Sequence, residues 1–193
     1  MPTRRVVAPG LRGPVPVVMR FSRALDRLAD AVGLAVAWLT LGMVLVTFVV
    51  VVLRYAFDTG WIAMQESITY MHALVFMLGA AYTLRRDGHV RVDIFYRRRG
   101  PRARALIDLL GGLLLLLPTS IFIFWVSLDY VGSAWAVHEG SREAGGLPGV
   151  YLLKTLMLIM PSLLVLQGLA DALRNLLVLA GRVHPPGEGG EPA

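Results

Sequence analysis

The stretch AVGLAVAWLTLGMVLVTFVVVVL, residues 31–53, runs for 23 residues without a charged side chain. A bilayer core about 30 Å thick is crossed by roughly 20 apolar helical residues, so this stretch predicts a membrane-spanning helix. Its valines at 49–52 favour a strand in water, but in lipid only a helix or a closed barrel satisfies the backbone. An uninterrupted apolar run excludes the alternation of barrel strands, which leaves the helix.

The composition of the whole chain also indicates a membrane protein. Of its 193 residues, 56% are hydrophobic and 17% are charged, whereas a soluble domain averages roughly 45–50% and about 25%. So few polar side chains cannot cover the surface of a soluble enzyme. The chain has no cysteine, which excludes disulfides, thiolate zinc sites and cysteine nucleophiles.

Three more apolar stretches predict spans at about 61–84, 106–137 and 150–170. The predicted fold class is therefore an all-α integral membrane protein, a four-transmembrane-helix bundle within a membrane domain at 20–180. We expect a disordered leader at 1–19 and a disordered tail at 181–193, because proline, glycine and polar residues are frequent in both. Phe21, Leu25 and Leu28 share one helix face and predict a short N-terminal amphipathic helix in the cytoplasmic interface.

The arginines alternate along the chain and predict its orientation. Six precede the first span, one follows it, eight lie at 85–105, one lies at 138–149 and two follow residue 170. Cytoplasmic loops carry an excess of basic residues, so both termini are expected in the cytoplasm. The net charge of +6 then reflects orientation and contact with anionic membrane lipid. We expect no nucleic-acid partner, because no aromatic residues alternate with the arginines as a stacking surface requires.

Glu66 and His72 are the ionisable residues inside the predicted second span. Because ionisable groups in a membrane are costly, each is a candidate functional position. Glu66 lies about 7–8 Å below the outer interface. It either pairs with a basic group of a partner or takes part in ion coupling, or it makes a helix–helix hydrogen bond or favours the start of its helix. No second histidine lies in a span, so His72 is expected to donate a hydrogen bond to a neighbouring helix rather than to bind haem.

Asp129 and Lys154 lie near the outer ends of the third and fourth spans. Lys154 is expected to extend towards the interface or to pair with Glu139 or Glu143. Asp129 and Asp108 are about 31 Å apart along one helix and cannot act as a carboxylate pair. The sequence contains no Ser-His-Asp set, metal-ligand spacing or phosphate loop, so we predict no enzyme activity, no metal and no cofactor.

Small residues and prolines predict how the helices pack. Close helix–helix approach in lipid is expected at Gly33, Gly79, Gly111, Gly112 and Gly168. Pro118 and Pro161 lie within the third and fourth spans, where a missing backbone N–H causes a kink or local unwinding.

A series of short motifs follows the four predicted spans in order. They are RY at 54–55, the set Trp61, Glu66 and Tyr70, LGAAY at 78–82, RRDGHVRVD at 85–93, DLLG at 108–111, SAW at 133–135, EGS at 139–141, GLP at 146–148, YLLK at 151–154 and LQGL at 166–169. In this order the chain resembles the small permease subunits of TRAP (tripartite ATP-independent periplasmic) transporters over about residues 20–178. Asp87 stands where that family leads us to expect a second glycine.

The resemblance implies a multi-pass subunit of a sodium-coupled transporter in a bacterial inner membrane. Its implied partners are a large permease subunit, which holds the substrate and sodium sites, and a periplasmic substrate-binding protein, which delivers an organic acid or a related solute. The small subunit is implied to extend the static scaffold of the permease. The candidate assembly or structural positions are Arg54, Glu66, His72, Gly88, His89, Arg91, Asp93, Asp129 and Lys154.

The second loop contains four of these candidates. Gly88 permits a turn with positive φ. Arg91 and Asp93 either pair with each other or contact the partner, and His89 is either a contact or an exposed residue without a role.

Two other classes of function remain open at this stage. An independent oligomeric channel or carrier is the first alternative, although a complete carrier commonly shows two related halves and this chain shows none. A membrane-embedded enzyme or electron carrier is the second, and the absence of histidine pairs and carboxylate clusters argues against it.

Overall fold

The computed structural model describes residues 15–86, 88, 96 and 99–182, and every regular element among them is helical. The helices are α1 (Val15–Ala56), α2 (Ile62–Arg85), α3 (Pro101–Gly111), α4 (Leu117–Ala136) and α5 (Val150–Leu179). A π-helical turn at Gly112–Leu116 joins α3 and α4 into one continuous span. Four helices are therefore long and apolar enough to cross a membrane, as predicted.

The first and last helices are longer than the predicted spans. Helix α1 begins at Val15, within the predicted leader at 1–19, and the predicted amphipathic segment is the first part of this one helix. Helix α5 continues past residue 170 to Leu179. Both extensions contribute to the packing of the bundle, because they bring Asp26 of α1 into contact with Arg174 of α5.

The helices run up and down, and α5 is the central one. It contacts α1, α2 and the continuous span formed by α3 and α4, while α1 and α2 pack on each other. The bundle has two ends. We call the end at the start of α1, the end of α2 and the end of α5 the terminal end. We call the other end, with the connections at 57–61 and 137–149, the loop end.

Two glycines allow the close approach that the sequence predicts. A side chain at Gly33 would overlap the ring of Tyr82, so α2 packs directly on the backbone of α1 there. A Cβ atom at Gly168 would lie 2.9 Å from Leu116. Gly79, Gly111 and Gly112 make no such approach within this chain, since no atom of a described residue lies within 4 Å of a Cβ position at any of them. These three face away from the helices of this chain.

Pro118 and Pro161 have different effects. The predicted local unwinding occurs ahead of Pro118, where the π-helical turn at Gly112–Leu116 interrupts α-helical bonding. Pro161 lies inside α5, which continues through it, and its ring is fully buried.

Candidate functional site

Small and acidic residues of α1 face the interior at the terminal end. Ser22, Ala29 and Val36 are 3%, 6% and 7% exposed, and Asp26 lies on the same face. Phe21 is 49% exposed on the outside. A helix of a soluble protein places its apolar face inwards, so the reversed arrangement here suits a helix that is surrounded by lipid.

Asp26 is the centre of a polar network at this end. Its two carboxylate oxygens accept hydrogen bonds from Nη1 of Arg174 at 2.8 and 2.7 Å. The amide of Gln167, which is only 2% exposed, donates to the same carboxylate at 3.2 Å. Nε of Arg85 lies 3.4 Å from it. One carboxylate therefore joins α1, α2 and α5.

The network extends on both sides of Asp26. Asp30, one turn further along α1, pairs with Arg85 and lies 3.4 Å from Arg86. Arg174 also donates to Asp171, one turn earlier in α5. The arginines and aspartates alternate, so each charge has an opposite charge beside it. We call Asp26, Asp30, Arg85, Arg86, Gln167, Asp171 and Arg174 the terminal network.

The beginning of α3 has a smaller polar contact. The hydroxyl of Tyr96 donates to Asp108 at 2.7 Å, and the guanidinium of Arg104 lies 5.6 Å from the centre of the Tyr96 ring. This bond joins Asp108 to a residue that precedes its own helix in the sequence.

The terminal network was not identified from the sequence. The distribution of arginines assigns Arg85 and Arg174 to orientation, and the predicted fourth span at 150–170 ends before Asp171. The available signal was the spacing of Ser22, Asp26 and Ala29, which places an acid among small residues on one helix face. An acid in a packed face requires a basic partner.

At the loop end, Glu66 holds the connection between α4 and α5. Its Oε2 accepts the backbone N–H of Leu147 at 2.6 Å, and its Oε1 accepts the hydroxyl of Ser141. Gly146 lies against the carboxylate, since a Cβ atom there would lie 2.8 Å from Oε2. Glu66 thus acts as an acceptor for two neutral donors of one loop.

The loop at 137–149 is also held by backbone hydrogen bonds of its own. The N–H of Ser141 donates to the carbonyl of Leu147 at 3.0 Å, and the N–H of Tyr151 donates to the carbonyl of Glu139 at 3.1 Å. Gly145 has φ +80°, a conformation that favours glycine. These contacts form a compact loop with Glu66 beneath it.

Lys154 makes the pair that the sequence predicts. Its Nζ lies 2.5 Å from the carboxylate of Glu139 and 4.0 Å from the centre of the Tyr130 ring. A charged pair and a cation–π contact therefore join α4, the loop and α5. Trp135 adds a hydrogen bond of 2.8 Å from Nε1 to the hydroxyl of Thr155.

As far as the structure describes the chain, three other candidate residues, Arg54, Asp129 and His72, form no side-chain hydrogen bond or ion pair with one another or with the polar contacts at the two ends. Arg54 lies exposed near the end of α1, and Asp129 lies exposed on α4 without a pairing partner among the described residues. His72 is exposed on α2, where its ring stacks on Phe76 with 6.3 Å between centres. It makes no hydrogen bond to another described residue, so the predicted bond to a neighbouring helix is absent within the described part of this chain.

Gly88 lies just beyond the end of α2 and does not adopt the positive φ that glycine permits. Its φ is not in the positive region, where the described glycines are Gly145 and Gly181. Instead its N–H donates to the carbonyl of Thr83 at 2.9 Å, and a Cβ atom would lie 3.0 Å from the methyl group of Thr83. The donor that closes a helix end in this way does not itself need a positive φ. His89, Arg91 and Asp93 lie outside the described residues.

These contacts suit a structural site more than a chemical one. Within 15–86 and 99–182, no group of three or more histidines, cysteines or acids is placed to hold a metal ion. The buried polar side chains described there are Ser22, Ser120, Ser127 and Gln167. The ionic contacts lie at the two ends of the bundle and join its helices and loops.

The class of protein is therefore a four-helix membrane protein in which polar contacts hold the helices together at both ends of the bundle. Residues 43–178, from the second half of α1 almost to the end of α5, match the family of tripartite ATP-independent periplasmic transporters, DctQ component. The match covers more than half of the chain, and the chain belongs to this family of transporter components. No curated protein and no solved structure matches this chain. The resemblance drawn from the sequence motifs is thereby confirmed.

Proposed function

We propose that this chain is the small membrane subunit of a sodium-coupled TRAP transporter and that it supports the large permease subunit as a static scaffold. The large subunit moves an organic acid or a related solute that a periplasmic binding protein delivers. Membership of the DctQ component family supports the role of a subunit.

The observation that carries the scaffold role is that both ends of the bundle are fastened. The terminal network joins α1, α2 and α5 through Asp26. Glu66 and Lys154 join the loop at 137–149 to α2 and α5. A bundle that is held at both ends is suited to resist the movement of a neighbouring transport domain.

We further propose that the terminal end faces the cytoplasm of a bacterial cell and that the loop end faces the periplasm. The arginine distribution supports this orientation, and Arg20, Arg23 and Arg27 are exposed at the terminal end. The loop at 137–149 then lies on the side from which the binding protein approaches. Arg91 and Asp93 remain predicted contact positions on the cytoplasmic side.

The absence of natural cysteine makes the orientation directly testable. Arg142→Cys places a thiol in the exposed part of the loop, and Arg99→Cys places one at the terminal end. A membrane-impermeant maleimide is expected to label Arg142→Cys in intact spheroplasts and Arg99→Cys only after lysis. The reverse labelling would overturn the orientation.

The function is tested by sodium-driven uptake in proteoliposomes that contain the large permease and receive the loaded binding protein. We expect uptake with this chain and little or none without it, because the scaffold is then incomplete. Unchanged uptake without the chain would overturn the proposal. Solute or ion flux through liposomes that contain this chain alone would instead support an independent channel or carrier.

A further inference from the structure

The outward face of α2 carries a row of mainly polar and small residues. Its members are separated by four and three residues alternately, which places them on one face of a helix. They are Gln65, Thr69, His72, Phe76, Gly79 and Thr83, and we call this row the polar stripe.

The polar stripe lies opposite the packed face of α2. On the packed face, Ala81 is 3% exposed and Arg85 pairs with α1. On the stripe, Thr69 and His72 are exposed, and Phe76 is 69% exposed. Gly79 has no atom of a described residue within 4 Å of a Cβ position. The stripe is therefore an outer surface of the bundle.

Helix α1 presents a row of the same spacing with opposite chemistry. It consists of Leu34, Trp38, Leu41, Leu45 and Phe48, which are 51–74% exposed. A fully apolar row is suited to lipid. The mean hydropathy of the best membrane window is 2.7 in α1 but only 1.3 in α2. Two adjacent helices thus expose an apolar row and a polar row at the membrane surface.

His72 makes lipid an unfavourable neighbour for the polar stripe. It lies about 15 Å from the start of the 24-residue helix α2, close to the middle of a bilayer core about 30 Å thick. Its imidazole has a ring contact with Phe76 but no hydrogen bond to a described residue. An imidazole without a hydrogen bond is costly in hydrocarbon, and a neighbouring helix is the usual source of a partner.

We propose that the polar stripe is the docking surface for a transmembrane helix of the large permease subunit, whose hydrogen-bond acceptor side chain lies opposite His72. The identity of the occupant rests on the proposed function. The alternation of three and four residues favours a nearly parallel or antiparallel crossing of about 20°. The ring of Phe76 then packs between side chains of the partner helix, and Gly79 allows the two helix backbones to approach each other.

Charge argues against a second copy of this chain as the occupant. Two copies with the same membrane orientation are related by an axis along the membrane normal, so the stripe of one copy faces the same residues of the other. His72 would then face His72, but two neutral imidazoles can share a hydrogen bond, so the charge argument rests on Arg86. The guanidinium of Arg86, 57% exposed at the terminal end of α2 and 3.4 Å from Asp30, would face the guanidinium of its own copy. A different chain avoids this repulsion.

The first test compares two open glycines. Gly79→Phe fills the polar stripe, and Gly132→Phe fills a surface of α4 that has equally open space within the described structure. The chain carries an affinity tag and is expressed with the large permease subunit. We expect Gly79→Phe to lower recovery of the permease about tenfold and Gly132→Phe to leave it unchanged. Equal recovery with both variants would overturn the proposal.

A smaller change distinguishes loss of docking from misfolding of the chain. Thr69→Val with His72→Leu removes hydrogen-bonding groups without adding bulk, and the thermal midpoint of the isolated chain is measured alongside. We expect recovery of the permease to fall about threefold to tenfold with an unchanged midpoint. An unchanged recovery would overturn the role of His72.

Photo-crosslinking separates the possible neighbours. A benzophenone amino acid is placed at position 76 of the polar stripe or, as a control, at position 48 of the apolar row. We expect a crosslink to the permease from position 76 and not from position 48. A crosslink to a second copy, or crosslinking to the permease from position 48 alone, would overturn the stripe as the docking surface. Failure of the unmodified chain to recover the permease would instead overturn the proposed function, and the identity of the occupant with it.

Discussion

At the terminal end, Asp26 and Arg174 are 148 residues apart in sequence and join α1 to α5, whereas at the loop end Glu66 holds one loop against one helix. At the centre of the terminal network the alternating charges have little exposure, since the side chains of Arg174 and Asp26 are 14% and 18% exposed. The loop end combines a carboxylate that accepts two neutral donors with one ion pair.

This difference shows that the two ends resist different movements. Loss of one charge in the terminal network leaves its opposite charges without compensation between three helices, which affects the whole bundle. Loss of an acceptor at the loop end frees two donors that water can reach, which affects mainly the loop. The effects of substitutions should therefore be global at one end and local at the other.

The largest effect is expected from Arg174→Leu, because Asp26 and Asp171 then lose the cation that they share. Removing one partner of a buried ion pair costs about 3–5 kcal/mol, and because Arg85 remains beside Asp26 we expect a loss of about 3 kcal/mol. Thermal unfolding of the chain in detergent micelles measures it.

Arg54→Leu, at an exposed arginine, is the matched control and should leave the thermal midpoint unchanged. Asp26→Leu combined with Arg174→Leu should recover part of the loss, since an apolar pair no longer contains an uncompensated charge. A wild-type midpoint for Arg174→Leu would show that the terminal network does not hold the helices together.

Glu66→Ala should act next in size and should affect the loop at 137–149 rather than the bundle. The N–H of Leu147 and the hydroxyl of Ser141 lose their acceptor, so amide hydrogen exchange in the loop should rise about tenfold. Ser67→Ala is the control, because the Ser67 hydroxyl, within the described part of the chain, bonds only to the carbonyl of Met64 in its own helix. Equal exchange in both variants would remove Glu66 as the anchor of the loop.

Lys154→Met should have a smaller effect at the same end. It removes the contacts to Glu139 and Tyr130, but the backbone bond from Tyr151 to Glu139 remains. Hydrogen exchange in the loop should rise only about twofold to threefold. Lys154→Arg should preserve most of the protection. An increase as large as that of Glu66→Ala would mean that the ion pair, and not the carboxylate beneath the loop, is the main fastening.

Asp129→Asn should leave the isolated chain unchanged within about 0.5 kcal/mol, because Asp129 is exposed on α4 and pairs with no described residue. Thermal unfolding under the same conditions measures this. A clear loss of stability would place Asp129 among the residues that hold the loop end.

The sequence predicted those features whose partners lie close together along the chain or whose signal is a long run. The four spans follow from apolar length, and the pair between Lys154 and Glu139 lies within 15 residues. Glu66 was recognised as unusual for its position, but its partners Ser141 and Leu147 are 75 and 81 residues away. Nothing in local spacing identifies which loop an isolated acid will hold.

The terminal network was missed for a related physical reason. Basic residues near a span end have two uses, orientation in the membrane and pairing within the bundle, and a count of arginines does not separate them. Arg85 and Arg174 pair with Asp26, whereas Arg20 and Arg23 remain exposed. Gly88 does not adopt the positive φ that glycine permits, since it donates the hydrogen bond that closes α2 and such a donor needs no positive φ.

The π-helical turn at Gly112–Leu116 sets the rotational phase of the third span. Ala105 and Leu109 are buried before it, and Leu117 and Val131 are buried after it. In an unbroken α-helix each residue advances about 100°, and the eight residues from Leu109 to Leu117 would leave these two side chains about 80° apart. The wider turn advances less per residue and brings them back to one side. Deletion of one residue here would let a regular helix keep this phase, because seven residues advance about 700°, close to two full turns, and Val131 would stay inside the bundle.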